Sequence, residues 1–502
     1  MALELAQAVF IPLILSPLAY YFGKAGGKRA GWLTFIILLY STVQIILSAS
    51  KFSSSDSYSE RFDWRPFGEF GLKLDGLSLP FSLMITLIGT ILSIYSIPYM
   101  VRKISIEIET SENRIRRLNR RLGIYYALYL LSIAGMLGTV LATNLIQFYV
   151  FFELMLLPAF FLVSEFGYKD RERVGLMFFI WTHAGALILL IALIVSGIYA
   201  GGFDYHAVSK ANIPENIRVF LAGSAILGLL FKLSAFGLHI WVPYTYSEAP
   251  TPISALISSV MTGIGGYALI RILTFLLPSA YFLSLLVLGV WAVITMIYGA
   301  LLALRQTDLK RLLAYSSISQ MGYIIFGIAS GQYFGIAGSV IFYVSGGFGK
   351  ALLFMAVGAI ILQTNTRDIN SLGGLAKNLP ITAIASMIGF LALMGIPPTI
   401  GFQAEWLLFT GAFRGALEVN AFDRLILAYI ALTATIFTAG YSLYMMRRVF
   451  FGIRPQELKD VKEAPLIITL PLLILALLTI LFGIYPNLLI DRLIPLTYQI
   501  LR

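Results

Sequence analysis

Cysteine is absent from this 502-residue chain, and histidine occurs only three times, as His183, His206 and His239. The lack of cysteine excludes disulfides, cysteine-ligated iron–sulfur clusters and thiolate metal sites. No two histidines stand at the spacing of metal ligands, so we expect no haem, metal or other cofactor in this chain. Any redox chemistry would have to take place in a partner, and whether the chain belongs to an enzyme stays open.

Charged residues are also scarce. They make up 12% of the chain, whereas hydrophobic residues make up 59%. A soluble domain has roughly 25% charged and about 45–50% apolar residues. The composition therefore predicts a polytopic membrane protein without a sizeable soluble domain. The first apolar run continues into a basic turn without a small-residue cleavage site, so we expect no cleavable signal peptide.

The net charge of +11 raises the question of a nucleic-acid partner, but the basic residues lie in short loops between apolar runs. About fourteen of these runs approach the roughly 20 residues that a membrane span needs. One alternate set of loops holds 23 of the 36 Lys and Arg residues, the other loops and termini hold 11, and Lys232 and Lys350 lie inside spans. Because basic loops stay in the cytoplasm, we expect both termini outside the cell membrane and no nucleic-acid partner.

Two of the spans contain prolines that interrupt a helix. The seventh, 217–241, runs into WVPYTYSEAPTP, and the twelfth, 380–410, contains LALMGIPPTIGF. Proline removes a backbone donor and breaks a helix, and broken helices at matching places in two halves are typical of transporters built from repeats. The breaks lie five spans apart. Spans four to eight and nine to thirteen would then form two five-helix repeats. Because each repeat contains an odd number of spans, the two repeats would have opposite orientations in the membrane.

We therefore predict an all-α polytopic membrane protein with about 14 transmembrane helices, two inverted five-helix repeats and broken helices 7 and 12. The predicted divisions are 1–121 for the first three helices and a basic cytoplasmic loop, 122–277 and 278–451 for the two repeats, and 452–502 for a C-terminal loop and the last helix.

Three further features lie outside the spans. The polar stretch 62–74 is expected to form a hairpin, and the tail after the last span is expected to be short. The basic segment 102–121 has two interpretations. In the first, it is a docking surface for a cytoplasmic partner or for anionic lipid. In the second, its positive charge only keeps this loop on the cytoplasmic side of the membrane.

Two charges of opposite sign lie inside apolar spans. Glu153 is in LIQFYVFFELMLLPAFFLV and Lys232 in VFLAGSAILGLLFKLSAFGLHIWV. Each costs about 2.5–3.5 kcal/mol at mid-bilayer, so we expect a compensating use in ion or proton movement. Burial disfavours the charged form of either group and a nearby opposite charge favours it, so the pair would act as a proton switch. The alternative is a buried ion pair that only holds two helices together.

Three more titratable residues are candidates for the same relay. His239 follows Lys232 by seven residues, which would place it two turns, about 10 Å, along one helix face, unless it is only a histidine at the helix break. Lys350 lies in the middle of the eleventh span or extends to the membrane interface. Glu405 follows the twelfth-span break or caps a half-helix. These residues lie on different helices from Glu153, so a relay among them would need water along a lateral axis.

Five segments carry a family resemblance: FFELMLLPAFFL, FKLSAFGLHIWVPYTYSEAPTPISALI, LRQTDLKRLLAYSSISQMGY, TRDINSLGGL and IGFQAEWLLF. They resemble the antiporter-like subunits of respiratory complex I, of multisubunit sodium/proton antiporters and of membrane-bound hydrogenase-type complexes, over about spans three to thirteen. The resemblance implies a fourteen-helix proton channel with Glu153, Lys232, His239, Lys350 and Glu405 at the family's relay positions. It also implies partners, namely other membrane subunits, further antiporter-like subunits and redox subunits, in contact with lipid.

The sequence departs from this family at several polar positions. Many relatives carry a lysine in place of Gly263, and histidines in place of Gln320 and Gly346. The complex I type has Asp and His where this chain has Tyr244 and Tyr246. The centre of the relay therefore has fewer titratable groups than in typical relatives. Either water connects the remaining groups, or the proton path differs from that of the relatives.

Three functions remain open from the sequence. The favoured one is a proton-translocating subunit of a larger energy-converting complex. The alternatives are a stand-alone cation/proton antiporter and a structural membrane module that no longer transports. The sequence determines neither whether the proton or the sodium ion is coupled nor whether the complex is of the hydrogenase, antiporter or quinone-linked type.

Overall fold

The computed structural model describes residues 3–52, 57–65, 67–108 and 113–501. Helices α1 to α11 are Glu4–Ala25, Lys28–Ala49, Ser78–Glu107, Arg114–Leu141, Leu145–Phe166, Arg171–Ala200, Tyr205–Ser209, Glu215–Lys232, Trp241–Glu248, Thr251–Leu256 and Ile264–Leu276. Helices α12 to α19 are Pro278–Leu304, Leu309–Ala329, Tyr333–Thr364, Pro380–Leu393, Ile400–Glu418, Phe422–Phe450, Leu466–Ile484 and Asn487–Leu501. A π-helical turn, Ile257–Met261, joins α10 to α11, and short 3-10 turns occur at Ile369–Ser371, Leu375–Lys377 and Gln456–Leu458.

The described helices form fourteen spans. Twelve segments are long and apolar enough to cross a membrane without interruption, and α10, the π turn and α11 together make one of them. The other two spans are split, the seventh into α8 and α9 and the twelfth into α15 and α16. The prediction of fourteen spans with broken helices 7 and 12 is confirmed.

The hairpin predicted between the second and third spans is also present. Strands β1, Tyr58–Trp64, and β2, Gly68–Leu74, pair antiparallel, and Tyr58 lies opposite Leu74. The short tail, in contrast, is a further helix. In α19, Leu489, Leu493 and Thr497 recur at helical spacing and are buried, and the helix packs against α14.

The basic segment 102–121 is mostly helical rather than a loop, because α3 continues to Glu107 and α4 begins at Arg114. Its residues 109–112 lie outside the described ranges. The Glu107 carboxylate contacts Lys103, and lies 2.7 Å from Arg121 and 3.3 Å from Arg171 at the start of α6. This cluster joins the end of α3 to the N-terminal part of α4 and to the start of α6, and both interpretations of the basic segment stay predictions.

A pair of matching loop contacts marks the two repeats. Asn144 caps the start of α5 and pairs with Asp204, which follows α6. Asp308 caps the start of α13 and pairs with Asp368, which follows α14. Each residue of the second pair comes 164 positions after its counterpart. Because five spans separate the pairs, they lie at opposite membrane surfaces, as inverted five-helix repeats require. The repeat boundaries at 122–277 and 278–451 stay a prediction.

The seventh-span break is not where the prolines predict it. Helix α8 ends at Lys232, and the non-helical segment 233–240 contains no proline. The chain turns there through left-handed backbone at Ser234, with φ of 52°, and at Gly237, with φ of 83°. Pro243 lies in the first turn of α9, where a missing N–H costs nothing. The proline-based placement is therefore wrong for this span.

The twelfth-span break matches its prediction. It covers residues 394–399, between α15 and α16, and contains Pro397 and Pro398. Gly395 has φ of 65°, in the left-handed region that glycine tolerates best.

One buried ion pair escaped the sequence analysis. Arg271, counted above with the loops, lies inside α11, and its Nη2 is 2.8 Å from Oδ1 of Asp75. Both side chains are buried, and Asp75 also accepts N–H groups at the start of α3. Burial raises the pKa of Asp75, but Arg271 and these hydrogen bonds outweigh it and bring the pKa to about 2. The carboxylate therefore stays ionised at neutral pH and ties α3 to α11.

We expect Arg271→Met to lower the free energy of unfolding by up to about 3–5 kcal/mol, because it leaves the buried Asp75 carboxylate with only the more distant Lys73, whose Nζ lies 3.8 Å from Oδ2, as a cation among the described residues. The double variant Asp75→Asn/Arg271→Met should lose less, since asparagine keeps an acceptor for the helix start and both charges are gone. Thermal and denaturant unfolding in detergent measure the difference. A single variant as stable as the double one would contradict the role given to this pair.

Candidate functional site

Glu153 lies in the middle of α5, and its carboxylate contacts a histidine of α6. Oε2 of Glu153 is 3.1 Å from Nδ1 of His183, and the imidazole stacks on Phe179 with ring centroids 5.2 Å apart. The two side chains are partly exposed at the helical surface, 24% for Glu153 and 35% for His183. His183 was missed as a site residue. Its position inside an apolar span was the sequence signal that could have identified His183 as a candidate.

Lys232 is the last residue of α8 and is only 3% exposed. Its Nζ lies 5.2 Å from the ring centre of Phe152, the neighbour of Glu153 on α5. Among the described residues, no carboxylate lies within 4.0 Å of this ammonium. The structure thus places the two charges near each other without the direct contact that the sequence predicted.

The backbone at the seventh-span break is held by indole groups from three helices. Their N–H groups donate to carbonyls in and next to the break: Trp241 to Phe231 at 3.1 Å, Trp291 to Phe236 at 2.8 Å, and Trp181 to Leu238 at 2.7 Å. The N–H of Phe236 donates to the Thr295 hydroxyl at 3.0 Å. A bilayer offers no water to such groups, so these bonds let a helix end beside Lys232.

His239 lies inside this break and not on a helix face below Lys232. The predicted spacing of two turns along one face is wrong because α8 ends at Lys232. The His239 side chain is 8% exposed, its Nδ1 has no partner among the described residues, and its ring centre lies 4.9 Å from that of Tyr298 on α12. His239 therefore faces a helix of the second repeat.

Lys350 is buried between α13 and α14 and does not extend to an interface. It is 2% exposed, and its Nζ donates to the Leu313 carbonyl at 3.3 Å and to the Ser316 hydroxyl. Among the described residues, no carboxylate lies within 4.0 Å of its ammonium. Lys350 is therefore a buried ammonium held only by neutral oxygens.

Glu405 lies in α16, shortly after the end of the twelfth-span break. A Cβ added at Gly395 would stand 2.4 Å from Oε2 of Glu405, so the carboxylate lies directly over the break. Its Oε1 has no hydrogen-bond partner among the described residues. Phe402 and Trp406 line a surface cleft beside it, so this end of the molecule, like Glu153, lies near the helical surface.

The departures from the family pattern have visible structural counterparts. A Cβ at Gly263 would come within 2.2 Å of the Tyr343 ring, so Tyr343 occupies the space of any side chain there. Gln320 donates to the Tyr441 hydroxyl at 3.4 Å. A Cβ at Gly346 would meet no heavy atom within 4 Å, so this position has room that Gly263 lacks.

The fold and these buried charges define an antiporter-like membrane subunit. The chain belongs to the family described as "NADH:quinone oxidoreductase/Mrp antiporter, TM", which matches residues 142–450. Residues 64–107 match the family "NADH-Ubiquinone oxidoreductase (complex I), chain 5 N-terminus". The resemblance seen in the sequence is thereby confirmed.

Relatives of this chain occur in several kinds of complex. F(420)H(2) dehydrogenase subunit M of Methanosarcina mazei is 34% identical over 507 residues, 97% of this chain and 95% of that protein. One Na(+)/H(+) antiporter subunit of Alkalihalophilus pseudofirmus is 33% identical over 96% of this chain and 60% of that protein. A chain of respiratory complex I from Thermus thermophilus with bound NADH superimposes with a TM-score of 0.83 at 25% identity, covering 99% of this chain and 100% of that one. The chain is thus an antiporter-like subunit of the energy-converting membrane complexes.

We expect Trp181→Phe to lower the free energy of unfolding by about 1–3 kcal/mol, because the Leu238 carbonyl is left without its donor in an apolar setting. Denaturant titration in detergent, followed by circular dichroism, measures this loss. Trp32→Phe is the matched control, since Trp32 lies on the surface of α2 at 48% exposure. Equal stability of the two variants would show that the indole bond does not support the break.

Proposed function

We propose that this chain translocates protons as one subunit of a larger energy-converting complex, through a relay of Glu153, Lys232, His239, Lys350 and Glu405. The observation that carries this proposal is the state of Lys232 and Lys350, two buried ammonium groups without a carboxylate within ion-pair distance among the described residues. Such charges are costly in a membrane and are retained where they serve transport.

In the first repeat, Glu153 controls the proton on Lys232. While Glu153 is ionised, its charge favours the protonated amine, although the two groups do not touch. When Glu153 takes up a proton, Lys232 loses this support and its proton can leave through the break that follows it. His183, in contact with Glu153, supplies or receives the proton of the carboxyl group. His239 lies in the same break and faces α12, on the way to the second repeat.

In the second repeat, Lys350 and Glu405 continue the relay. Lys350 is bonded only to neutral oxygens, so it holds or releases a proton without breaking an ion pair. Glu405 lies over the twelfth-span break and beside a surface cleft, which gives its proton a way out of the protein. Water is required between Lys350 and Glu405, since no hydrogen bond among the described residues joins them.

The setting of the chain follows from the same proposal. It lies in the cell membrane with both termini outside, and its partners are further antiporter-like subunits and redox subunits, with lipid around them. The energy comes from those partners or from a gradient of a coupled ion, which is either the proton or the sodium ion.

Two other functions are the alternatives to this proposal, a stand-alone cation/proton antiporter and a membrane module that does not transport. The Tyr343 ring beside Gly263 favours the module that does not transport, because the ring fills the space where many relatives have a titratable lysine.

Replacing Lys232 by Ala should abolish proton movement while the complex still assembles, because the relay loses its first buried amine. Proton uptake is measured with a pH-sensitive dye in vesicles containing the complex purified through a tag on this chain. The control is Lys210→Ala, an exposed lysine after α7, which should keep normal uptake. Normal uptake by Lys232→Ala would exclude the relay, and a single active chain after purification would favour the stand-alone antiporter.

Replacing His183 by Gln should slow proton movement by about a hundredfold, the lower end of what a positioned proton-transfer group contributes. Glutamine keeps a hydrogen bond to Glu153 but does not take up a proton, so the pH profile of uptake should also change. A purely structural histidine would leave that profile unaltered. Unchanged uptake in Glu153→Gln would instead support the module that does not transport.

A further inference from the structure

A group of exposed basic side chains lies where the turn between α1 and α2 meets the first two turns of α4. Its members are Lys24, Lys28, Arg29, Arg114, Arg116, Arg117 and Arg120. The ion pairs among the described residues all use other cations, so none of these side chains has a carboxylate within 4.0 Å there. This set is called the cationic patch below.

Two segments that are distant in the sequence form the cationic patch, because the backbone of α1 touches that of α4. The N–H of Gly27 donates to Oδ1 of Asn119 at 3.0 Å, across 92 positions of the chain. A Cβ added at Gly23 would lie 2.2 Å from Cα of Gly123, so the two helices are in close backbone contact at this end. The α1–α2 turn is therefore fixed beside α4, and the cations form one surface rather than two.

The start of α4 carries its positive charge where a helix tolerates it least. The first turn of α4 contains no acidic residue, although the N-terminal end of a helix dipole favours negative charge. Arg116 and Arg120 are four positions apart on one face, where like charges repel each other. Leu122, on the side that packs against the α1–α2 turn, is only 1% exposed, so the arginines face outward. An anion outside the protein would relieve both unfavourable terms.

Exposed aromatic rings flank the cationic patch at the end of α1 and the start of α2. Tyr21, Phe22 and Trp32 are 63%, 43% and 48% exposed. Tyrosine and tryptophan collect at the boundary between membrane and water, because their rings are apolar whereas the hydroxyl or N–H prefers a polar setting. These rings place the cationic patch at the level of the lipid headgroups, on the side predicted to be cytoplasmic.

We propose that the cationic patch binds the phosphate groups of anionic phospholipids in the cytoplasmic leaflet. This inference goes beyond the proposed function and does not depend on the relay. Guanidinium groups bind phosphate oxygens through paired hydrogen bonds, and basic surfaces next to membrane spans attract anionic lipid. Membrane topology alone requires basic loops, but it does not require four arginines on one outward face beside interfacial rings. The level of those rings favours a lipid over a soluble acidic protein.

The test compares the unaltered chain with Arg114→Gln/Arg116→Gln/Arg117→Gln/Arg120→Gln in a non-ionic detergent. Each protein is titrated with phosphatidylglycerol or with phosphatidylcholine of the same acyl chains, and native mass spectrometry measures the bound lipid. The unaltered chain should bind phosphatidylglycerol at least about tenfold more tightly than phosphatidylcholine. The variant should lose this preference, since each basic residue near an anionic surface contributes roughly fivefold to binding.

The matched control removes the same amount of charge from exposed cations elsewhere in the chain, which also lack a carboxylate within 4.0 Å among the described residues. It is Lys377→Gln/Arg447→Gln/Lys459→Gln/Lys462→Gln, and it should keep the preference within about twofold. A second patch variant, Lys24→Gln/Lys28→Gln/Arg29→Gln, should weaken the preference and replaces the first if that one does not fold. Circular dichroism and size-exclusion chromatography check the folding of every variant.

Three results would overturn the proposal. An equal loss of preference in the matched control would show that total charge, and not the cationic patch, decides lipid binding. An undiminished preference in the folded patch variants would show that the lipid binds elsewhere. The absence of any preference in the unaltered chain would leave the cationic patch to a soluble partner or to membrane topology alone.

Discussion

A helix that ends inside a membrane must find hydrogen-bond partners for its last carbonyls within the protein, and the arrangement at the seventh span depends on this constraint. Indole N–H groups from α6, α9 and α12 meet the carbonyls around residues 233–240. An indole is large, apolar and a donor only, so it satisfies a carbonyl without bringing in a second polar group that would need its own partner. Lys232 can therefore sit at a helix end in the interior.

The buried charges differ in how they are supported. Asp75 and Arg271 are in direct contact and tie two helices together, as a structural pair does. Lys232 lies over the Phe152 ring and Lys350 donates to neutral oxygens, so neither ammonium has a carboxylate within ion-pair distance among the described residues. The ends of the proposed relay, at Glu153 and Glu405, lie near the helical surface, whereas its middle is closed.

The sequence predicted the parts of the fold that depend on local patterns. Apolar runs of span length gave the fourteen spans, and Pro397 and Pro398 located the twelfth-span break. The seventh-span break was misplaced because its cause is tertiary: Trp291 and Thr295 of α12 hold the Phe236 backbone, and no local signal reports a contact 55 or more residues away. The misplacement of His239 followed from that error. His183 and Arg271 were overlooked because the side of the helix on which they meet Glu153 and Asp75 is set by helix packing.

The matching loop pairs at the two membrane surfaces share their backbone geometry but not their charge. One pair combines Asn144 with Asp204, whereas the other combines two carboxylates, Asp308 and Asp368, and Arg367 lies 2.6 Å from Asp308. With the same offset of 164 positions, the residue of the first repeat that matches Arg367 is Phe203, so the first pair has no matching arginine. The internal symmetry is thus geometric only, and the electrostatics give the molecule a fixed polarity, so that its two faces are not interchangeable.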